Sequence, residues 1–177
     1  KWNSVPTSTN YVWGQSVGND DYFYCYWYPT ATSGKETGRL YFQLRTGASA
    51  WLAQDLAGGT AMAWRMEPGT WHHISVVFNN GLLDFYINGQ LSYSCSGLNN
   101  APNTIYNTFI GNAAHGGPEC FDGFIDNVEI WDLALNQLEI QQYMNCPPTG
   151  SESGLVGYWN FEEGSGNTAL DLSGNGN

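Results

Sequence analysis

Two Asn-Gly pairs, Asn80-Gly81 and Asn88-Gly89, divide the stretch from Trp71 to Leu91 into three apolar-rich runs, and this pattern constrains the fold most strongly. Both residue types accept the positive φ angles of a tight two-residue turn, so Asn-Gly between alternating runs predicts a β-hairpin. The pattern therefore predicts an antiparallel meander of three strands. Alternation gives each of the first two strands one apolar face, formed by Ile74, Val76 and Phe78 and by Leu83, Phe85 and Ile87.

Other runs on both sides of the meander also alternate as strands do. They cover residues 22–28, 39–45, 108–110, 121–131 and 155–161. One segment predicts a helix, because Asn136 and Glu139 form a capping-box pattern at its start, and this short helix should lie near Gln137-Met144. Many short strands with one late helix predict an all-β fold, an antiparallel β-sandwich of the jelly-roll type.

Composition limits both the size of the fold and its partners. The 177 residues suffice for one large all-β domain and are too few for two of that size. The aromatic content of 15% exceeds the charged content of 12%, which excludes a disordered chain. A net charge of −11 repels nucleic acid and leaves divalent cations and neutral partners. No apolar run approaches the ~20 residues of a membrane-spanning helix, so no membrane insertion is predicted.

The four cysteines are scattered along the chain, without the close Cys and His spacing of a zinc site. They are Cys25, Cys95, Cys120 and Cys146. Two disulfides can form in three connectivities, among which the sequence does not choose. Scattered cysteines without evident thiol chemistry favour an oxidising compartment. The chain is therefore predicted to be secreted or exposed on a cell surface.

Several motifs occur in an order that resembles the LamG-like (laminin G-like, concanavalin A-like) jelly-roll family. They are Trp71-His72-His73, Tyr86-Ile87-Asn88-Gly89, Ile110-Gly111-Asn112, Gly123 through Trp131, and Leu135 through Glu139. The resemblance covers about residues 1–146 and implies a concanavalin A-like jelly roll that lacks the family's usual first strand. Residues 147–154 have the Pro-, Gly- and Ser-rich composition of a linker.

The tail, residues 155–177, resembles the first strand and loop of the same family. Similar signatures occur in modules strung together in secreted Bacteroidota surface proteins. The tail either completes this domain or begins the next one in a tandem array, which would make neighbouring LamG-like repeats its partners. A filament in which one subunit's tail adds to the next subunit's sheet is also open.

Asp126 is the main candidate for a metal ligand. Its side chain is predicted to share a strand face with apolar neighbours, where a buried carboxylate requires a partner. Calcium binds carboxylate, carbonyl and amide oxygens. The resemblance implies a structural calcium at Asp126 and adds Asp171 and Asn175 from the family's opening loop. The alternative is a carboxylate satisfied by backbone N–H groups of an adjacent turn.

The tyrosines of residues 22–28 form a stripe on one face of a predicted strand. Such rings stack on sugars and donate hydrogen bonds, so Tyr24, Tyr26 and Tyr28 are predicted to contact a ligand, together with His115 in a glycine-rich loop. Cross-strand packing under a loop explains the stripe equally well. The paired histidines of the Trp-His-His motif are predicted to pack in the fold.

Catalytic patterns are missing from the sequence. It has no clustered pair of glycosidase carboxylates, no nucleophile elbow and no phosphate-binding loop, so the chain is predicted not to be an enzyme. The resemblance implies a recognition or adhesion module of a large exported protein, stabilised by calcium, that binds a glycan or a cell-surface protein. The alternatives are a structural spacer or filament module and an accessory domain of a carbohydrate-active enzyme.

Overall fold

The computed structural model describes residues 1–3, 10–16, 22–28, 39–46, 50–51, 67–96, 107–112 and 119–177. This part of the chain forms ten strands and one helix. Before the helix come β1 (Asn10–Ser16), β2 (Tyr22–Tyr28), β3 (Arg39–Thr46), β4 (Ala50–Trp51), β5 (Ile74–Asn79), β6 (Leu82–Ile87), β7 (Gln90–Cys95), β8 (Asn107–Ile110) and β9 (Val128–Trp131). The helix α1 (Gln137–Asn145) and the strand β10 (Leu155–Trp159) follow.

The strands form three antiparallel sheets. One has five strands in the order β4-β3-β2-β1-β8, one has three in the order β5-β6-β7, and one pairs β10 with β9. A buried cluster of Cys25 from β2 with Leu83, Phe85 and Ile87 from β6 packs the five-stranded sheet against the meander. The predicted all-β sandwich with one short helix is confirmed.

The meander has the predicted strands and turns. Asn80 and Asn88 have φ angles of 48° and 51°, and the glycines that follow them have 80° and 71°, as two-residue hairpin turns require. The predicted inward face of β6 is buried throughout, whereas on β5 Phe78 is partly exposed at the strand end.

The cysteines are thiols rather than the predicted disulfides. Cys25 lies in the core, and Cys95 is partly buried and packs against the same cluster. Cys120 and Cys146 are exposed. Burial raises the pKa of the Cys25 thiol far above its ordinary value, so this side chain acts as a small apolar core residue.

The strand predicted at residues 121–131 is shorter in the structure. The β9 ladder covers only Val128–Trp131, and before it Gly123 makes one isolated bridge to Trp2. Asn127 has a φ of 50°, a left-handed conformation that interrupts the alternation of side chains. The side chain of Asp126 is consequently exposed and does not share a buried strand face, which corrects the expectation from periodicity.

The helix α1 begins with the predicted capping box. The Asn136 side chain accepts hydrogen bonds from the Leu138 and Glu139 N–H groups at 2.9 and 3.2 Å, and the Glu139 carboxylate accepts the Asn136 N–H at 2.8 Å. The helix packs on the second turn of the meander, where Gln141 donates to the Gly89 carbonyl oxygen at 2.9 Å. A Cβ at Gly89 would meet Cγ of Gln141 at 2.7 Å, so this turn needs glycine for packing as well as for its φ angle.

The tail lies along β9. β10 pairs antiparallel with β9, with Tyr158 opposite Glu129 and Trp159 opposite Val128. The side chains of Leu155 and Tyr158 are buried. In this structure the tail therefore folds onto its own domain. The division of the chain into domain, linker and tail stays a prediction.

Candidate functional site

The first three residues form a short ladder with residues 122–124. The amino group of Lys1 donates to the Phe124 carbonyl oxygen at 2.8 Å, and the Phe124 N–H donates to the Lys1 carbonyl oxygen at 2.7 Å. One residue further, Trp2 pairs with Gly123, where a Cβ would overlap the Lys1 carbonyl oxygen. Alternation along this ladder turns Trp2 inward, where it is 2% exposed, and Lys1 and residue 3 outward.

An exposed aromatic ring belongs to this ladder, and a second one lines the concavity at its end. The side chain of Phe124 is 57% exposed, with the Lys1 ammonium 5.7 Å from its ring centroid. Trp71 is 53% exposed and lines the same concavity as Lys1 and Phe124. Next to Phe124 in the ladder, the Asn3 amide donates to the Asp122 carboxylate at 2.9 Å. We call Asn3, Trp71, Asp122 and Phe124 the N-terminal patch.

The chemistry of the N-terminal patch suits a neutral polyhydroxylated ligand. Aromatic faces offer apolar area of fixed geometry to the C–H face of a sugar ring. An amide paired with a carboxylate offers both hydrogen-bond donors and acceptors to hydroxyl groups. The sequence pattern does not single out these residues, because Asn3 meets Asp122 and Lys1 meets Phe124 through pairing across more than a hundred residues. The sequence does hold one signal for Trp71. Side chains alternate at Trp71-His72, so the Trp71 side chain points outward if that of His72 points inward.

A groove of about 510 Å³ runs inward from Lys1 between β5 and the segment that leads into β9. We call it the β5–β9 groove. The Trp2 ring forms part of its wall, with the His72 ring 6.1 Å and the Phe121 ring 5.4 Å away. Burial lowers the pKa of His72 and of His73, so both imidazoles are neutral near pH 7. The packing predicted for these histidines agrees with this environment.

The predicted ligand tyrosines are packed. Tyr24 and Tyr26 are 5% and 2% exposed, and the Tyr11 ring lies 5.2 and 5.4 Å from theirs. These contacts match the packing interpretation of the stripe. The side chain of Tyr28 and all of His115 lie outside the described residues. A ligand role for these four residues stays a prediction.

The hydroxyl of Tyr158 donates to the Asn127 side chain at 3.0 Å, and the charges of several carboxylates act on it. Burial raises the pKa of Tyr158, and the charges of Glu129 and Asp126 add to this effect. Burial also raises the pKa of Glu129, although the Trp131 indole N–H donates to its carboxylate at 3.1 Å and lowers it again in part. This face of the tail strand is therefore acidic.

The tail residues predicted as calcium ligands already make hydrogen bonds within the chain. The Asp171 carboxylate accepts the N–H groups of Tyr158 and Ser173 at 3.0 and 2.9 Å and that of Asn177 at 3.0 Å. These bonds hold the pKa of Asp171 well below its usual range. The Asn175 amide nitrogen donates to the Leu155 and Val156 carbonyl oxygens.

Calcium needs free oxygen lone pairs, which the donors around Asp171 already use, so Asp171 and Asn175 do not fit the ion in this conformation. Asp126 fits better, since among the described residues its Oδ1 accepts only the neighbouring Asn127 N–H at 2.9 Å and the side chain is exposed. Within the described ranges no three His, Cys, Asp or Glu side chains converge to hold a metal ion. The three metal roles stay predictions.

Comparison with known proteins identifies the family. The laminin G-like profile of the concanavalin A-like lectin/glucanases superfamily matches residues 1–141. The structure is similar to that of a protein from Bacteroides ovatus named as a candidate carbohydrate-binding protein, with a TM-score of 0.65, 18% identity, and coverage of 97% of this chain and 52% of that one. It is also similar to the heptameric SAP-like pentraxin of Limulus polyphemus, with a TM-score of 0.58, 18% identity, and coverage of 94% and 74%.

At this level of identity the two structural likenesses show the fold alone, and this chain spans about half the length of the Bacteroides protein. The family profile covers far more than half of this chain. The chain therefore belongs to the concanavalin A-like lectin/glucanases superfamily.

Proposed function

We propose that this chain is a non-catalytic glycan-binding module of an exported protein, and that it binds through the N-terminal patch. The observation that carries the proposal is the pair of exposed rings, Trp71 and Phe124, on one concavity. The hydrogen-bonded side chains of Asn3 and Asp122 lie two residues along the ladder from Phe124. Two large aromatic rings more than half exposed are costly to leave in water, at about 25 cal/mol per Å² of apolar area. A ligand that covers them recovers that free energy, so such a surface is a candidate for recognition.

The charge of the chain narrows the class of glycan. A net charge of −11 disfavours sulfated and uronic acid-rich polymers, because like charges repel over about 8 Å at physiological ionic strength. Lys1 is the one cation contacting the patch among the described residues, and its ammonium already lies over the Phe124 ring. The proposal is therefore restricted to neutral glycans.

The comparisons support the proposal at the level of class. The superfamily's description names lectins, and the Bacteroides protein of the same fold is itself described by carbohydrate binding. An extracellular location follows from the nature of such ligands and is part of the proposal. The structure adds that α1, with nine residues, is too short to cross a membrane, and the rest of the described chain has no helix that could.

A structural calcium forms a second part of the proposal. The support for it is the acidic face at Tyr158 and the exposed Asp126 carboxylate, whose second oxygen accepts no hydrogen bond from the described residues. When bound, the ion would neutralise this face and hold the turn at Asn127. Asp126 is the residue that would bind it directly.

A structural spacer is the second candidate, and one observation favours it. The turns of residues 171–177 satisfy the outer edge of β10, where Val156 and Tyr158 carbonyl oxygens accept hydrogen bonds from Asn177 and from the Leu172 N–H at 2.8 and 2.7 Å. A closed edge suits a unit that stands in a row without adding strands to its neighbours.

The test is binding of the purified chain to an array of neutral and acidic glycans, followed by titration of the best ligand. Trp71→Ala and Phe124→Ala are each expected to weaken binding about tenfold, the equivalent of ~1.4 kcal/mol of lost stacking. Phe161→Ala is the matched control, because Phe161 is an exposed aromatic residue of the tail outside the patch. Binding that survives both patch substitutions would place the site elsewhere. If no glycan on the array binds, the structural spacer remains as the candidate function.

A further inference from the structure

The β5–β9 groove has two ends of different chemistry. One end opens at the N-terminal patch, beside Phe124. At the other end β9 approaches α1, and the side chains of Glu129, Trp131 and Tyr143 line the groove. Between the two ends the chain passes through the turn at Asn127 and along β9, whose four residues rise about 3.3 Å each. We call the end formed by Glu129, Trp131 and Tyr143 the inner end.

An aromatic pair forms one wall of the inner end. The ring centroids of Trp131 and Tyr143 lie 4.7 Å apart, with an angle of 33° between the ring planes. Both side chains are half-buried and line the groove, so each ring keeps part of its surface toward it. The face of an aromatic ring is electrostatically negative and attracts a cation that lies within about 6 Å of its centroid. The pair therefore offers a surface for a positively charged group.

Glu129 places a carboxylate beside this pair. The side chains of residues 129 and 131 share one face of β9, and the Trp131 indole N–H donates to Oε2 of Glu129 at 3.1 Å. The second oxygen, Oε1, accepts no hydrogen bond from the described residues and is not enclosed by them. Burial is the main reason that the pKa of Glu129 is raised, as for any carboxylate removed from water without a cation beside it. One oxygen of a partly desolvated carboxylate thus remains available to a donor from a ligand.

Further negative charges act on the inner end. The charge of Glu152 acts on both Glu129 and Tyr143, and the charge of Glu139 acts on Tyr143. The carboxylates of Glu152 and Glu139 already accept backbone N–H groups of their own turns, so they contribute charge rather than a free oxygen. Among the described residues that line the groove, only Lys1 is a lysine or arginine, and it lies at the other end. The inner end is therefore suited to a cation supplied by a ligand.

We propose that the inner end binds a primary ammonium group on an alkyl stem, the chemistry shared by free alkylamines and lysine side chains. The ammonium group donates to Oε1 of Glu129 and lies against the rings of Trp131 and Tyr143. Ile130 and Leu135 line the same groove and offer apolar surface to the stem. The site is separate from the N-terminal patch, and the inference holds whether or not the chain binds glycans.

The chemistry of the inner end distinguishes this class from other ligands. A neutral alcohol of the same length has no charge to interact with the rings and the carboxylate. A quaternary ammonium ion has the charge but no N–H group to donate to Glu129. A calcium ion takes six to eight oxygen ligands, whereas within the described ranges no three His, Cys, Asp or Glu side chains converge to hold a metal ion.

Titration of the chain with butylammonium, followed by NMR in the presence of a chelator, tests the site. The Trp131 indole N–H signal reports on it directly, because this group donates to the same carboxylate. Butylammonium is expected to shift the signal in a saturable way, whereas butanol and tetramethylammonium should bind at least tenfold more weakly. A second titration uses Nα-acetyl-lysine amide. Binding of both amines supports a lysine side chain as the ligand, and binding of butylammonium alone supports a free amine.

Two charge-removing variants complete the test. Glu129→Gln keeps an acceptor for the Trp131 indole N–H but loses the charge, so it should bind butylammonium at least tenfold more weakly than the original chain. Glu162→Gln is the matched control, because Glu162 is an exposed carboxylate of the tail outside the groove, and its affinity should be unchanged.

Three results would overturn the proposal. The first is equal affinity of the original chain for butylammonium and for butanol or tetramethylammonium. The second is equal affinity of the original chain and Glu129→Gln for butylammonium. The third is an equal loss of affinity in both variants, because the net charge alone would then attract the amine. Glycan binding at the N-terminal patch should be the same in Glu129→Gln and the original chain, so a failure of one proposal is distinguishable from a failure of the other.

Discussion

Replacing Leu155 with alanine tests whether the tail is part of this domain. Leu155 opens β10, is buried, and lies opposite Trp131 of β9. A buried Leu→Ala change costs ~2–5 kcal/mol, because it removes apolar contacts and leaves a cavity. For a chain of this size each kcal/mol lowers the melting temperature by ~2–4 °C. Leu155→Ala should therefore lower the melting temperature of the whole domain by roughly 4–20 °C.

The assay is thermal and urea unfolding followed by far-UV circular dichroism and by tryptophan fluorescence. If β10 belongs to the cooperative unit, both signals shift together and the transition stays single. Leu170→Ala is the matched control, since Leu170 lies in the same tail but is exposed, and such changes stay within ~0.5 kcal/mol. A Leu155→Ala variant that melts with the Leu170→Ala variant would refute the reasoning, and the tail would then belong to a neighbouring domain.

Three further predictions concern single groups. Burial raises the pKa of Glu129, so the folded chain binds a proton at this carboxylate more tightly than the unfolded chain does. The folded chain therefore loses stability as the pH rises from the ordinary pKa of glutamate through the raised pKa of Glu129. Glu129→Gln, which still accepts the Trp131 N–H, should therefore melt higher than wild type at pH 7 and equally at pH 4, as calorimetry at the two values would show. Asn136→Ala should cost ~1 kcal/mol by removing the cap of α1, and Asn136→Asp should restore it in urea unfolding. Calcium at ten times its Kd should stabilise the chain by ~1.4 kcal/mol, and the shift in calcium-versus-chelator melts should vanish in Asp126→Asn; an unchanged shift would exclude Asp126 as a ligand.

Local signals in the sequence predict local structure well here. The turns at Asn80-Gly81 and Asn88-Gly89 and the capping box at Asn136 involve residues within a few positions of each other, and the structure confirms all three. Asn127 shows the limit of this approach. Its left-handed φ ends the ladder of β9, yet asparagine within an alternating run does not by itself predict a break.

The candidate site depends on contacts between distant parts of the chain. Trp71, Lys1 and Phe124 line one concavity only because the first residues pair with residues 122–124. The Asp171 side chain illustrates the same point in part, since besides its sequence neighbours Ser173 and Asn177 it accepts the N–H group of Tyr158 in β10. Periodicity also cannot tell a presented tyrosine stripe from a packed one, because what covers Tyr24 and Tyr26 is set by tertiary structure.

The closed edge of β10 also separates two routes of self-association. In one route, a filament forms when the tail of one copy leaves β9 and adds to the next copy. This step first exposes Leu155 and Tyr158, and the identical site on the next copy buries both again. Protein concentration would then decide the ratio of filament to monomer. Strand addition in the β5–β9 groove moves neither side chain. Leu155→Ala removes the same contacts from the monomer and from a tail-exchanged assembly, so the association constant of folded monomers should stay unchanged by either route. The rates should differ instead: tail exchange requires β10 to leave β9 and should become faster in Leu155→Ala, whereas association through the groove should keep its rate.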